Sequence, residues 1–314
     1  MGAESLSSRA IIGRFYAALA AATGAGWVDP LSMLFTSDQA SEEYRWLGMS
    51  PPMREWIGGR SAKTLRDQGI TIKNLDFEAT LDVLVKDLRR DKTGQLMVRI
   101  NELAARAQSH WASLLSTLIL NGPSTVCYDG QFFFDTDHSE GDSGSQSNDI
   151  TADISTYPVS VTGTTTNPST EELEYSILDG IEAILGFKDD QGEPMNEGAT
   201  NFIVMVPTVL WNNTLAATRN PVIGGGRTNT LVQSAYVVTP VMNPRLTWTD
   251  SFAVFRADGQ VKPFIRQEEQ GVKVNAKAEG SEYEFDTNRH AYGIDASRNV
   301  GYGYWQHACY VTMT

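Results

Sequence analysis

The densest chemistry in the chain lies between residues 127 and 144. Asp135-Thr136-Asp137-His138 places two carboxylates and an imidazole within four residues, a donor set that suits a divalent cation. One short cluster supplies at most three ligands, and His110, His290 and His307 have no ligand spacing around them. Asx turns that hydrogen-bond their own backbone account for the same residues. Gly141-Asp142-Ser143-Gly144 matches the tetrapeptide around a serine-protease nucleophile, but it sits in a Ser/Gly/Asp-rich run, and a triad is defined by geometry. Gly224-Gly225-Gly226-Arg227 has the glycines of a phosphate cradle without the Lys-Ser/Thr that completes one, so a mobile loop is expected. Gly301-Tyr302-Gly303-Tyr304 lacks the third glycine of a dinucleotide fingerprint. Cys127 and Cys309 are too few for a disulfide framework and read as buried thiols in a reducing compartment. No catalytic residue, cofactor or resident metal is expected.

Charge is distributed unevenly. The 314 residues carry 25 Lys and Arg against 38 Asp and Glu, a formal charge of −13, which argues against a general nucleic-acid binder. Residues 107–187 contain no Lys or Arg and 12 acids, nearly the whole net charge. Residues 60–92 hold eight bases: Arg60, Lys63, Arg66, Lys73, Lys86, Arg89, Arg90 and Lys92. A solvated acidic face beside a basic segment is the plain reading. Complementary surfaces on neighbouring copies of the chain are the sharper one.

The elements that must carry these residues follow from periodicity. Residues 9–22 read as a helix, and their apolar run is far below the roughly 20 residues that span a bilayer. Residues 23–56 are broken by Gly and Pro yet carry Trp27, Phe35, Tyr44, Trp46 and Trp56, so they form an arm that packs on other structure. Leu75, Phe77, Ala79, Leu81, Val83 and Val85 alternate with polar residues, and with a short strand at 69–72 they suggest a long two-stranded hairpin. An isolated hairpin is marginal in water and needs cover from a partner. Leu96, Ile100, Leu103, Ala107, Trp111, Leu114 and Leu118 mark a helix over 95–121, about 40 Å long. Further helices are expected at 171–187 and 208–219. Strands are expected at 131–134, 201–207, 233–239, 251–256, 272–276, 282–285 and 302–311, with a weak alternating run at 157–162. The class is α+β with segregated helices and strands.

Four runs then carry a family resemblance: Glu43-Tyr44-Arg45-Trp46-Leu47-Gly48, Met53-Arg54-Glu55-Trp56 within 52–60, Phe132-Phe133-Phe134-Asp135-Thr136-Asp137-His138 within 128–138, and Tyr292-Gly293-Ile294-Asp295-Ala296. In order and spacing, over nearly the whole chain, they resemble the major head proteins of Mu-like tailed phages. The resemblance implies the Hong Kong 97-type phage capsid fold: an N-terminal arm (1–55), an extended hairpin loop (56–93), a peripheral domain with a long spine helix (94–169), a mainly axial domain (170–275) and a return to the peripheral domain (276–314). It implies a structural subunit, not an enzyme, that self-assembles into pentamers and hexamers of an icosahedral head around double-stranded DNA, without sequence-specific binding and without a membrane. A separate scaffold protein and a portal are implied partners, with decoration proteins as a further option, and the virion as destination after assembly in the host cytoplasm. Trp46, Trp56, Arg60, Lys63, Arg66, Lys73, Lys86, Arg89 and Arg90 are the expected inter-subunit contacts, and Gly224, Gly225, Gly226 and Arg227 the expected capsomer-axis loop. No motif supports covalent cross-linking.

Two readings compete with the major head subunit, the first of them needing no family resemblance. One is a cytoplasmic α+β enzyme or metal-binding protein with an acidic cleft of Asp129, Asp135, Asp137 and His138. The other is a minor or decoration head protein.

Overall fold

The computed structural model describes residues 8–45, 69–90 and 94–314, with Arg89 described by its backbone alone. Its framework is two sheets bridged by one long helix. The helices are α1 (Ser8–Ala21), α2 (Val28–Leu31), α3 (Val85–Arg90), α4 (Gln95–Leu120), α5 (Thr170–Gly186), α6 (Trp211–Arg219), α7 (Thr230–Gln233) and α8 (Glu282–Thr287). The strands are β1 (Ser32–Thr36), β2 (Ser41–Tyr44), β3 (Ile70–Lys73), β4 (Leu75–Leu84), β5 (His138–Ser139), β6 (Ser145–Gln146), β7 (Asp149–Ala152), β8 (Asn201–Val206), β9 (Val222–Ile223), β10 (Arg227–Thr228), β11 (Val237–Met242), β12 (Ser251–Arg256), β13 (Phe264–Lys277), β14 (Arg289–Tyr302) and β15 (Ala308–Met313).

The first sheet has the order β1-β13-β14-β4, with β1 parallel to β13 and the other pairs antiparallel. The second has the order β11-β8-β12-β15-β7. The alternation read at 75–85 is real, but its partner is not the neighbouring segment. Leu75–Leu84 pairs along its length with β14, from Leu84 opposite Arg289 to Leu75 opposite Arg298. The short upstream strand β3 pairs instead with β2, from Ser41 opposite Lys73 to Tyr44 opposite Ile70. The reason is burial: the inward side chains of β4 meet α4, a cover that a free two-stranded hairpin lacks.

Helix α4 runs 26 residues and ends one residue short of the predicted 95–121. At its start, Leu96, Ile100, Ala104 and Ala107 pack with Ile11 and Phe15 of α1 and with Tyr292 and Ile294 of β14. At its middle, the Trp111 ring meets the guanidinium groups of Arg298 (4.8 Å) and Arg266 (5.6 Å), and Arg298 also donates to the Ala107 carbonyl at 3.2 Å. At its end, Tyr302 Oη donates to the Leu118 carbonyl at 2.8 Å. Helix α5 covers the second sheet. Its Gly180 lies so close to β12 that a Cβ there would stand 2.8 Å from Val254 Cγ2, so the helix needs glycine at that position. The sheets meet at an aromatic cluster in which Phe133 stacks on Tyr302 (4.5 Å, 14°) and Phe264 packs on Phe255 at 5.5 Å.

Other expectations change. Residues 282–285 are helix α8, not a strand, because Ser281 caps it by accepting from the Glu284 N–H at 3.2 Å. Residues 131–134 hold only an isolated bridge, Val126 to Phe132, and 157–162 form no strand. The run 302–311 is split by a turn of 3-10 helix at Trp305–His307. The closing segment 276–314 divides between the sheets: β14 joins the first and β15 the second. Among the described residues, no helix is long and apolar enough to cross a membrane.

Candidate assembly surfaces

The expected acidic cleft does not exist as a cleft. His138 is buried and turns away from Asp135 and Asp137. Its Nδ1 lies 2.6 Å from Asp129 Oδ2, its Nε2 lies 3.1 Å from Asn148 Oδ1, and its ring stacks on Trp305 at 4.0 Å. Asn148 Nδ2 donates to the Phe133 carbonyl at 2.8 Å, which leaves its Oδ1 as an acceptor for His138 and for the Asp135 N–H at 2.9 Å. Asp135 accepts from the backbone N–H groups of Phe132 (3.0 Å) and Thr136 (2.7 Å), and the Asx turn of this stretch is made by Asp129, which accepts from the Gln131 N–H at 3.1 Å.

Cys127, Asp129 and His138 do bring three possible metal-ligand atoms within 4.8 Å. These atoms satisfy one another: the Cys127 thiol donates to Asp129 Oδ1 at 2.9 Å, beside the His138 contact. Burial, then the Asp129 charge, push the Cys127 thiol up, so it stays protonated. Burial raises the Asp129 carboxyl, but the hydrogen bonds from His138 and Cys127 outweigh it and the net shift is down. The cluster is a closed structural network.

Ser143 is no nucleophile. Its Oγ accepts from the Glu140 N–H at 2.9 Å and donates to the Gly144 carbonyl at 2.9 Å, a local turn without an imidazole. The neighbouring carboxylate Glu140 is also internal, accepting from Tyr128 Oη at 2.5 Å, while Gln306 Nε2 donates to that hydroxyl at 3.0 Å.

The glycine loop is pinned, not loose. Arg227 lies over the Tyr175 ring at 4.8 Å and forms ion pairs with Glu171 (3.4 Å) and Glu174. Both carboxylates are almost wholly buried, at 1% and 0%. Glu171 also accepts from the N–H groups of Ser160 (2.7 Å) and Val161 (2.9 Å), and Glu174 from Thr230 (2.5 Å) and Leu231 (3.3 Å). Two carboxylates on one face of α5 thus tie down the loops on both sides of its N-terminus. Gly225 holds φ +59°, and a Cβ there would stand 2.6 Å from Ser160 Oγ. Much of the acid-rich window is therefore interior: Glu140, Glu171, Glu172 and Glu174 serve buried N–H, O–H and guanidinium groups and not a solvated face.

Of the expected contact residues, Lys73, Lys86 and Arg90 are exposed, Lys73 at the foot of β3 and the other two on α3. Trp46, Trp56, Arg60, Lys63 and Arg66 lie outside the described residues, as does the Arg89 side chain. Residue-type arguments missed two features. The Glu171–Glu174–Arg227 cluster joins groups more than 50 residues apart, which no local pattern signals. Phe285 stands 91% exposed on α8, and the Ser281-x-x-Glu284 capping pattern was the available sign of that helix.

What the surface offers is sheet edges and exposed apolar side chains. The second sheet ends at β11, where Val237 and Met242 are exposed and Pro240 removes a donor from an edge strand, where proline is tolerated.

Comparison with known proteins adds the following. The family model of the Mu-like prophage major head subunit gpT matches residues 8–161 and 241–314. The Mu-like prophage FluMu major head subunit of Haemophilus influenzae is 34% identical over 111 residues, 35% of this chain and 36% of that protein. The major capsid protein of Escherichia phage Mu is 32% identical over 108 residues, 34% of this chain and 35% of that protein. The aligned stretches thus span about a third of the length of these curated relatives. Among solved structures, a chain of the procapsid of bacteriophage JBD30 superposes with a TM-score of 0.55 at 25% identity, over 96% of this chain and 72% of that one. The fold is that of Hong Kong 97-type phage capsid subunits, and it contains the long helix that the resemblance implied.

Proposed function

The chain belongs to the family of the Mu-like prophage major head subunit gpT, and from that premise we propose that it is the shell-building subunit of a phage head, self-assembling into pentamers and hexamers around double-stranded DNA. The observation that carries this reading is the family match to both flanks of the chain, which supply strands to both sheets. Such a protein works by area. Subunits in a shell bury large surfaces against several neighbours, and segments that cannot stand alone supply much of that area. The dissolved acidic cleft and the self-satisfied Ser143 favour the same reading over an enzyme.

We assign the first sheet with α1 and α4 to the peripheral domain and the second sheet with α5 and α6 to the axial domain. The segment 1–55 serves as the arm and 56–93 as the extended loop with its flank, and Trp46, Trp56, Arg60, Lys63, Arg66, Lys73, Lys86, Arg89 and Arg90 contact neighbouring subunits. The Gly224–Gly226 turn with Arg227 faces the capsomer axis as a braced structure. A net charge of −13 keeps the subunit from gripping the packaged genome, because phosphate contacts need bases. A separate scaffold protein and a portal complete the head, which is assembled in the host cytoplasm.

Reversal of Arg60, Lys63 and Arg66 to Glu tests the assignment of the basic segment. The variant subunit should fold with an unchanged circular dichroism spectrum yet form no shells. Normal heads from it would remove those residues from the interface.

A further inference from the structure

The least satisfied large side chain among the described residues is Phe285, 91% exposed at the tip of the β13–β14 hairpin. Around it the tip is acidic: Glu279, Glu282, Glu284 and Asp286 occur within 279–286 with no base. Glu279 is engaged by the Ser8 N–H at 3.0 Å, and Glu284 by His290 at 3.1 Å. Glu282 and Asp286, three residues before and one after Phe285, are exposed and have no hydrogen bond or ion pair among the described residues. The exposed ring and its two solvated carboxylates form a small knob, apolar at its centre and acidic at its edges.

A matching recess lies at the same end of the first sheet. Arg289 stands opposite Leu84, and the Val85 N–H donates to the Asn288 carbonyl at 3.1 Å, which joins the hairpin tip to α3. Between β4, α3 and the start of α4 is a groove of about 440 Å³, with Leu81, Val83, Leu88 and Leu96 inside and Arg90 and Arg99 on its rim. Its two acids are Asp82, which is paired with Arg289 at 2.5 Å, and Asp87. Lys86 adds a further exposed base on α3. A cavity of about 150 Å³ already accepts a benzene ring, so the groove takes a phenyl side chain with room for its backbone. The molecule's own Phe285 is not in it.

We propose that the α8 tip of one copy inserts Phe285 into the β4–α3–α4 groove of a second copy, with Glu282 and Asp286 meeting Arg90 and Arg99. The occupant is a second copy because the acidic knob and the groove rimmed by Arg90 and Arg99 (the latter 3.8 Å from Glu102) are complementary in charge, lie on one chain, and are unfilled by each other within it. Such a contact is heterologous and propagates from subunit to subunit, as a ring or shell requires. It rests on the shell-subunit reading and adds to it a specific contact.

The test uses the full chain with its scaffold. Phe285→Ser should leave the melting temperature unchanged, since the ring touches little in the subunit, and lower the yield of assembled particles roughly ten-fold, the effect of losing one buried aromatic anchor. Arg90→Glu with Arg99→Glu should also block assembly, and adding Glu282→Arg with Asp286→Arg should restore it. Phe285→Cys with Arg90→Cys should give inter-subunit disulfides in particles, whereas Phe285→Cys alone should give none. Particles from Phe285→Ser at the native yield, or particles of the double-cysteine chain without inter-subunit disulfide, overturn the contact and leave the shell reading intact. A native chain that forms no particles overturns both.

Discussion

Asp129 and His138 hold each other 2.6 Å apart in the interior, with 3% and 0% of their side chains exposed, and the imidazole lies flat against Trp305 with the ring planes 7° apart. Residues that in sequence look like the start of a catalytic or metal site are, in the fold, a bolt between the 127–148 loops and the Trp305 turn.

This pairing predicts a stability effect. Asp129→Ala leaves a buried imidazole nitrogen without its partner and should destabilise the subunit by about 1–3 kcal/mol in urea unfolding, the cost of leaving one buried polar group unsatisfied. A loss below about 1 kcal/mol would mean that the pair is solvated and the network is not structural.

The carboxylate clamp on α5 predicts a local effect. Glu174→Gln keeps one acceptor but removes the charge that faces Arg227, and should cost about 1.5–3 kcal/mol. Amide exchange at Thr230 and Leu231, whose N–H groups Glu174 accepts, should accelerate while exchange in β12 stays slow. Equal acceleration in both places would show that the clamp has no local role.

Acid should destabilise the subunit through the buried His307 and the half-buried His110. Burial, then the Arg256 charge, hold the His307 imidazole down to about 4 from its ordinary 6.5. Burial, then the Arg298 and Arg245 charges, hold His110 down to about 4 as well. The unfolded chain takes up these protons near pH 6.5 and the folded one only near 4. Their contribution is therefore complete above about pH 6.5 and is lost as the pH falls towards 4. For His307 alone the loss at pH 5 is about 2 kcal/mol. Asp258 acts in a lower window: burial raises its carboxyl, but Arg256 and the Thr200 and Asn201 N–H groups outweigh this and hold it at about 2, so its contribution fades only below about pH 4. Melting temperature should fall from pH 7.5 to pH 5, and His307→Gln should flatten that slope. A flat native profile would contradict the packing around both rings.

How far the sequence could be read depends on what each inward face carries. Helix α4 was legible because apolar residues recur on one side of it for 26 residues. Strand β4 was legible from strict alternation, but its partner was not. The inward positions of β14 are His290, Tyr292, Ile294, Ala296 and Arg298, and the polar His290 and Arg298 among them erase the hydropathic period. Strand β13 shifts register between Glu268 and Lys273, which breaks its period in the middle, so only 272–276 showed. The acid-rich window was visible as a count. That Glu171 and Glu174 point inward to Arg227 is a tertiary fact set by how the 224–231 loop closes over α5, and charge alone suggested the opposite, a solvated face. The same limit applied to Asp135-Thr136-Asp137-His138, where the true partner of His138 is nine residues upstream at Asp129.

The central claim is that this chain builds a closed shell, and electron microscopy of the purified full chain, expressed alone and with its scaffold, tests it most directly. The account predicts uniform closed particles whose averaged density shows pentameric and hexameric clusters, with the two-sheet subunit fitting each position. A chain that stays monomeric or forms one small discrete oligomer under both conditions would contradict it.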